Sequence, residues 1–126
     1  MGSWITWAAV AAGGALGSLL RFWLTAVIGA RTGAAWPFHT LVINVLGSFA
    51  IGWFATWTAE RVPVPADWRV FVMVGVCGGF TTFSSFSLQT LDLARGGAPG
   101  LAAAYVAASL VLCLLGVWAG FALARV

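Results

Sequence analysis

The chain has 126 residues, 62% of them hydrophobic and only 7% charged, with a mean hydropathy of +1.02. A soluble domain carries about 45–50% apolar and about 25% charged residues, so this one lacks the polar surface to face water. Disorder is excluded as well, since it goes with low hydrophobicity and high net charge, and the formal charge here is +3.

A bilayer core about 30 Å thick takes roughly 20 apolar residues in helix, so there is room for about four spans with short connections. Residues 1–126 therefore read as a single all-α transmembrane domain. The first apolar run goes from about Trp4 to Ile28. It lacks a basic leader, is too long for the hydrophobic segment of a cleaved signal peptide and carries Arg21, so it is expected to remain as a helix. Arg21 is the one formal charge well inside a run. An intramembrane charge is a functional candidate because of its cost, and snorkelling to the interface is the competing reading.

Gly33 and Pro37 mark the first connection, and the second run goes from about Phe38 to Ala59. Asn44 lies early in it, with Thr40 one turn before. Asn44 is either interhelical glue, worth roughly 1 kcal/mol, or an amide donor to an anion. Pro63 and Pro65 mark the second connection, which also holds Glu60 and Asp67.

The third run, from about Val70 to Ala94, concentrates the chemistry. Gly78 and Gly79 are followed by Phe80, Thr81, Thr82, Phe83, Ser84, Ser85, Phe86 and Ser87. Glycine costs about 1 kcal/mol in a helix against alanine and threonine about half that, so a break is expected over Gly78 to Thr82. Broken backbone at membrane depth survives only where protein, water or an ion satisfies it. Freed carbonyls suit a cation, and the half-helix restarting near Thr82 to Ser85 offers N–H groups to an anion. Phe83 and Phe86 share a helix face, which is either core packing or two positive ring edges turned toward an anion path. The surrounding hydroxyls favour the path.

Gly96, Gly97 and Pro99 mark the last connection, and the fourth run goes from about Leu101 to Ala124, with Tyr105 and Ser109 as its polar groups. Small residues four apart, Gly13 with Gly17, Ser48 with Gly52, Gly75 with Gly79 and Gly116 with Gly120, argue for close helix contacts. Most tryptophans fall near run ends, as interface anchors do. Cys77 and Cys113 sit inside apolar runs and are expected to be structural thiols with no disulfide.

All basic residues are arginines: Arg61, Arg69 and Arg125 fall on one side of four spans, Arg31 and Arg95 on the other, with Arg21 leaning that way. So weak a bias predicts insertion in both orientations and antiparallel pairing, unless the balance is chance. No carboxylate sits mid-span, His39 stands alone at an interface, and no nucleophile has a base near it in sequence, so no enzyme is expected.

Over essentially its whole length the sequence resembles the Fluc/CrcB family of small fluoride channels. The resemblance rests on Gly13-Gly14-Ala-Leu-Gly17-Ser-Leu-Leu-Arg21, on Trp36-Pro37-Phe-His-Thr40-Leu-Val-Ile-Asn44-Val-Leu-Gly47, on Gly78 to Ser87 and on Tyr105 to Ser109. It implies an antiparallel, dual-topology homodimer with two anion pores, lined by Asn44 and by Phe83 and Phe86 from both subunits. It also implies a structural sodium ion at the dimer centre, held by the Gly78 and Thr81 carbonyls of both chains. Thr40, Ser84, Tyr105 and Ser109 fall on positions that offer polar groups along the ion path, and Arg21 matches the family's first-span arginine. His39 departs from the usual glycine, Gln89 from a common glutamate near the end of the path, and Cys113 from serine.

The implied activity is passive, selective export of fluoride from the cytoplasm, where weak acid HF would otherwise accumulate it. Fluoride is small and strongly hydrated, so its path must replace water with short hydrogen bonds while staying too narrow for larger halides. The implied partners are a second copy of the chain and membrane lipid, with no nucleic acid, in a bacterial inner membrane crossed several times. Two other classes compete. A proton-coupled small multidrug exporter needs a membrane-embedded carboxylate, which is missing, and a non-transporting scaffold leaves the hydroxyl-rich break without a purpose.

Overall fold

In hydrocarbon every backbone N–H and C=O must be paired within its own segment, and each apolar run accordingly folds as a helix. The computed structural model describes residues 2–33 and 36–126. Helix α1 spans Trp4–Thr32 and stops at Gly33, whose φ of 71° favours glycine. Helix α2 spans Phe38–Glu60 and starts behind Pro37. The third span opens as α3 (Ala66–Val70) and continues through a π-helical stretch, Phe71–Cys77, and one further turn, Gly78–Phe80. It resumes as α4 (Phe83–Arg95), and α5 (Pro99–Ala124) carries its proline in the first turn, where no helical N–H is lost. All four spans are long and apolar enough to cross a membrane.

The break is narrower than expected. Thr81 and Thr82 alone are extended, with φ/ψ of −80°/158° and −152°/109°, while Gly78 and Gly79 stay helical. Packing explains this. Helix α1 lies along the first half of the third span, and a Cβ on Gly79 would sit 2.6 Å from the Gly14 carbonyl oxygen. The contact is backbone on backbone, so the helix is clamped through its glycines and opens only at the threonines beyond them. Helix α2 packs most extensively on α5, again through small residues, Gly52 against Val117 and Gly120 against Phe49.

The interior is small. Leu41, Phe86 and Tyr105 form a buried cluster, edged by Trp36, Val45, Leu93 and Val106. Large side chains such as Leu19, Phe22, Leu114 and Trp118 face outward, as a protein solvated by lipid requires. Trp36 differs from an interface anchor: it packs edge-on against Tyr105 at 5.5 Å and belongs to the cluster. Polar bonds tie the helix ends together. Thr6 Oγ1 donates to Asp67 Oδ1 at 2.7 Å, Arg69 Nη1 to Thr58 Oγ1 at 2.5 Å, and Arg125 Nε to Glu60 Oε2 at 2.9 Å. The start of α1, the second connection and the chain's end thus gather at one end of the bundle, as four spans demand. Cys77 and Cys113 are free thiols.

Candidate functional site

The threonine break leaves backbone groups without helical partners, and two polar side chains from neighbouring helices meet them. Asn44 of α2 donates from Nδ2 to the Thr82 carbonyl at 3.1 Å, while its Oδ1 accepts the Thr82 N–H at 2.8 Å. The side-chain amide therefore pairs with the extended backbone as a second strand would. Arg21 of α1 donates from Nε to the Gly79 carbonyl at 3.1 Å. The guanidinium of Arg21 thus meets the last helical turn before the break.

Thr82 then caps the resumed helix. Its hydroxyl oxygen accepts the Ser85 N–H at 3.2 Å, in the manner of an N-cap, and its O–H lies 2.9 Å from Ser85 Oγ. The first N–H groups of α4, at Phe83 and Ser84, have no intrahelical acceptor, and this is the positive end of the helix. Several hydroxyls of the run serve the helix locally. Thr81 Oγ1 donates to the Cys77 carbonyl at 2.9 Å and Ser87 Oγ to that of Phe83 at 2.9 Å. The hydroxyl count in the sequence thus overstates the donors free to meet an ion.

The phenylalanines lead away from the break. The Phe83 and Phe86 rings lie 5.3 Å apart, tilted by 53°, and Phe86 meets Tyr105 at 5.2 Å. Phe86 is 8% exposed and Tyr105 fully enclosed, whereas Phe83 is 75% exposed. Tyr105 donates its hydroxyl to Gln89 Oε1 at 2.8 Å.

Two cavities of ≈ 390 Å³ each adjoin the break, and Thr82 lines both. The first brings together Asn44, Gly78, Thr81, Phe83, Phe86 and Ser109; the Ser109 hydroxyl is buried and, among the described residues, has no partner. The second brings together Arg21, Thr40, Ser85 and Gln89, with His39 beside them. Ser84 and Tyr105 line neither, although both lie within the same neighbourhood through Thr82 and Phe86. Motif reasoning did not anticipate the Arg21 bond to Gly79 or the Gln89 bridge, which joins residues far apart in sequence. The Thr82 cap was readable as a threonine standing just before the restarting helix, a preferred N-cap residue. Among the described residues no carboxylate lines either cavity; the polar groups there are neutral apart from Arg21.

Four spans, a break braced from both neighbouring helices and two cavities that share Thr82, each with a few polar groups in an apolar lining, define a small multi-pass membrane protein built around a discontinuous helix. Proteins of that class place their ion and solute sites at such breaks. The chain belongs to the Fluc/CrcB family: it matches the family described as "CrcB-like protein, Camphor Resistance (CrcB)" over residues 8–121. A protein of Rhodospirillum rubrum named "Fluoride-specific ion channel FluC" is 59% identical over 118 residues, covering 92% of both chains. One of the same name from Paramagnetospirillum magneticum is 55% identical over 124 residues, covering 97% of both. A third, from Opitutus terrae, is 58% identical over 113 residues, covering 88% of this chain and 86% of its own. These relatives are bacterial, and this chain, with four helices long and apolar enough to cross a membrane, is a multi-pass membrane protein.

Proposed function

We propose that this chain is a fluoride-selective channel and not an enzyme, passing fluoride out of the cytoplasm down its gradient. The observation that carries this is the Asn44-clasped break beside Phe83 and Phe86, in a chain 59% identical to a protein named as a fluoride-specific ion channel. The path is built from neutral donors, the N–H groups of α4 and the Ser109 hydroxyl, with phenyl edges between them. Asn44 has a divided role: both ends of its amide hold Thr82, and one Nδ2 hydrogen stays available to the ion. Thr40, Ser84 and Tyr105 offer further polar groups, and Arg21 contributes fixed positive charge.

The working unit is an antiparallel homodimer with two pores. Phe83 supports this reading, because a ring 75% exposed at the mouth of the first cavity leaves that wall open until a second copy covers it. The near balance of arginines on the two sides supports insertion in both orientations. A structural sodium ion fits the same break. Thr82 N–H goes to Asn44 rather than to the Gly78 carbonyl, its ordinary helical acceptor, and no donor meets the Thr81 carbonyl among the described residues. Gly78 and Thr81 both line the first cavity, and neutral carbonyls of unwound backbone are the ligands sodium takes in membrane proteins. Bound there, the ion would neutralise carbonyl dipoles and pin two breaks together.

Liposomes loaded with fluoride and holding the purified protein test the reading. A fluoride electrode is expected to record rapid efflux, with chloride retained under the same conditions. Equal release of both anions removes the selectivity, and no release removes the channel.

A further inference from the structure

The charges at the end of the bundle where α1 begins do not all pair. Arg69 Nη1 donates to Thr58 Oγ1 at 2.5 Å, Arg125 pairs with Glu60 at 2.9 Å, and Arg61 donates to the Arg125 carbonyl. Asp67 is half-buried, and among the described residues no cation meets its carboxylate. Its side chain has one hydrogen-bond partner among them, the neutral Thr6 hydroxyl, which donates to Oδ1 at 2.7 Å and leaves Oδ2 free. A carboxylate partly removed from water is costly without a counter-charge. Asp67 lines a cavity of ≈ 250 Å³ with Ala9, Trp68 and Phe71. The Trp68 and Phe71 rings lie 5.6 Å apart at 79°, so their planes stand as two near-perpendicular walls. Aromatic faces attract cations, tryptophan most strongly. Acid and rings thus favour the same charge, and the described lining supplies none. Trp4, Trp7 and Trp68 are all exposed at this end, as indoles at the headgroup level of a bilayer are. The cation within reach at that depth is the ammonium of a lipid.

We propose that this cavity is a lipid-headgroup site, taking the ammonium of phosphatidylethanolamine between Asp67 and the Trp68 and Phe71 rings. A primary ammonium carries three N–H donors, one of which meets the free Asp67 Oδ2 in a charge-assisted bond. The trimethylammonium of phosphatidylcholine keeps the charge for the rings but has no N–H to donate. Phosphatidylglycerol brings no cation at all. The affinities therefore fall in the order ethanolamine, choline, glycerol, an order that a tryptophan serving only as an interface anchor would not produce. Nothing in the site depends on ion conduction.

Native mass spectrometry of the purified protein, titrated in detergent with each lipid in turn, tests this. Wild type is expected to bind phosphatidylethanolamine about tenfold more tightly than phosphatidylglycerol, the worth of one hydrogen bond between charged groups. Asp67→Asn keeps an oxygen for the Thr6 hydroxyl and is expected to erase that preference while the protein stays folded. Trp68→Leu removes the stronger ring and is expected to shrink the preference about threefold. A preference that survives in both variants overturns the proposal. So does a wild type that binds phosphatidylglycerol as tightly or more tightly, which would make the arginines the lipid contacts.

A second measurement needs no variant. Successive N-methylation of the ethanolamine lipid keeps the positive charge and removes the N–H donors one at a time. The dimethyl lipid retains one N–H and is expected to bind wild type as phosphatidylethanolamine does, with the loss of affinity falling at phosphatidylcholine. Equal affinity along the whole series, or a loss at the first methyl group, overturns the bond to Asp67 even where the variants fail to fold. A cavity already filled by a cationic side chain of a second copy would leave wild type indifferent to every headgroup, which also overturns the proposal.

Discussion

Replacing Asn44→Ala removes the clasp on the threonine break. Two bonds are lost at once, Nδ2 to the Thr82 carbonyl at 3.1 Å and the Thr82 N–H to Oδ1 at 2.8 Å. A buried group left unpaired costs about 1–3 kcal/mol, whereas interhelical bonds in a membrane average only about 0.6 kcal/mol because the alternative state also finds partners. Asn44 is half-buried, so the sum for two bonds falls near 2 kcal/mol, or roughly thirtyfold in a local opening equilibrium at about 1.4 kcal/mol per decade. Amide hydrogen exchange at Thr82 reads that equilibrium directly. The variant is expected to exchange this proton about thirtyfold faster than wild type, with helix interiors of α2 and α5 unchanged. Fluoride efflux is expected to collapse in the same samples, since the break sets where Phe83 and Phe86 stand. Asn44→Asp keeps an acceptor for the Thr82 N–H and is expected to retain most of the protection while losing flux. Unchanged exchange at Thr82 in Asn44→Ala would refute the clasp and leave Asn44 as a donor to the ion alone.

Other substitutions separate structure from conduction. Arg21→Leu leaves the Gly79 carbonyl without its partner, about 1–3 kcal/mol, and is expected to lower both thermal stability in detergent and flux. Ser109→Ala removes a buried hydroxyl that has no partner among the described residues, so thermal stability is expected to hold while fluoride efflux falls; intact efflux would make Ser109 mere packing. Phe83→Ile is expected to abolish flux with the thermal midpoint in detergent unchanged, because the ring is exposed and contributes little to the core. Gly79→Ala places a Cβ 2.6 Å from the Gly14 carbonyl oxygen, an overpacking expected to cost about 1–3 kcal/mol and to show as a lower thermal midpoint.

Much of the fold was legible because lipid is an undemanding solvent to read. Apolar runs bounded by Gly33, Pro37, Pro63, Pro65, Gly96 and Pro99 returned as helices within about a turn of their expected ends, the usual uncertainty of helix boundaries. The break was legible from Gly78 to Thr82, but its extent was not. Propensity counts each glycine as a helix breaker, whereas close packing on α1 uses Gly75 and Gly79 as flat surfaces and keeps them helical. Trp36 was legible as an aromatic at a span end, yet its position against Tyr105 depends on α2 meeting α5, which no local pattern encodes.

The site divides in the same way. The residue types around Thr81 to Ser87 announced polar chemistry, and Asn44 and Arg21 stood out as polar groups in apolar runs. Which atoms they meet was beyond the sequence. Arg21 and Gly79 are 58 residues apart, and Asn44 and Thr82 are 38 apart. The hydroxyls misled in one respect: Thr81 and Ser87 return their protons to carbonyls four residues back, as threonine and serine in helices often do.

Selective fluoride conduction is tested most directly by a reversal potential. With the protein in a planar bilayer, a tenfold fluoride gradient set against an opposed tenfold chloride gradient is expected to give a reversal near the fluoride equilibrium potential, about 59 mV in magnitude for one charge. A reversal near zero, or one that follows chloride, would contradict a fluoride-selective path.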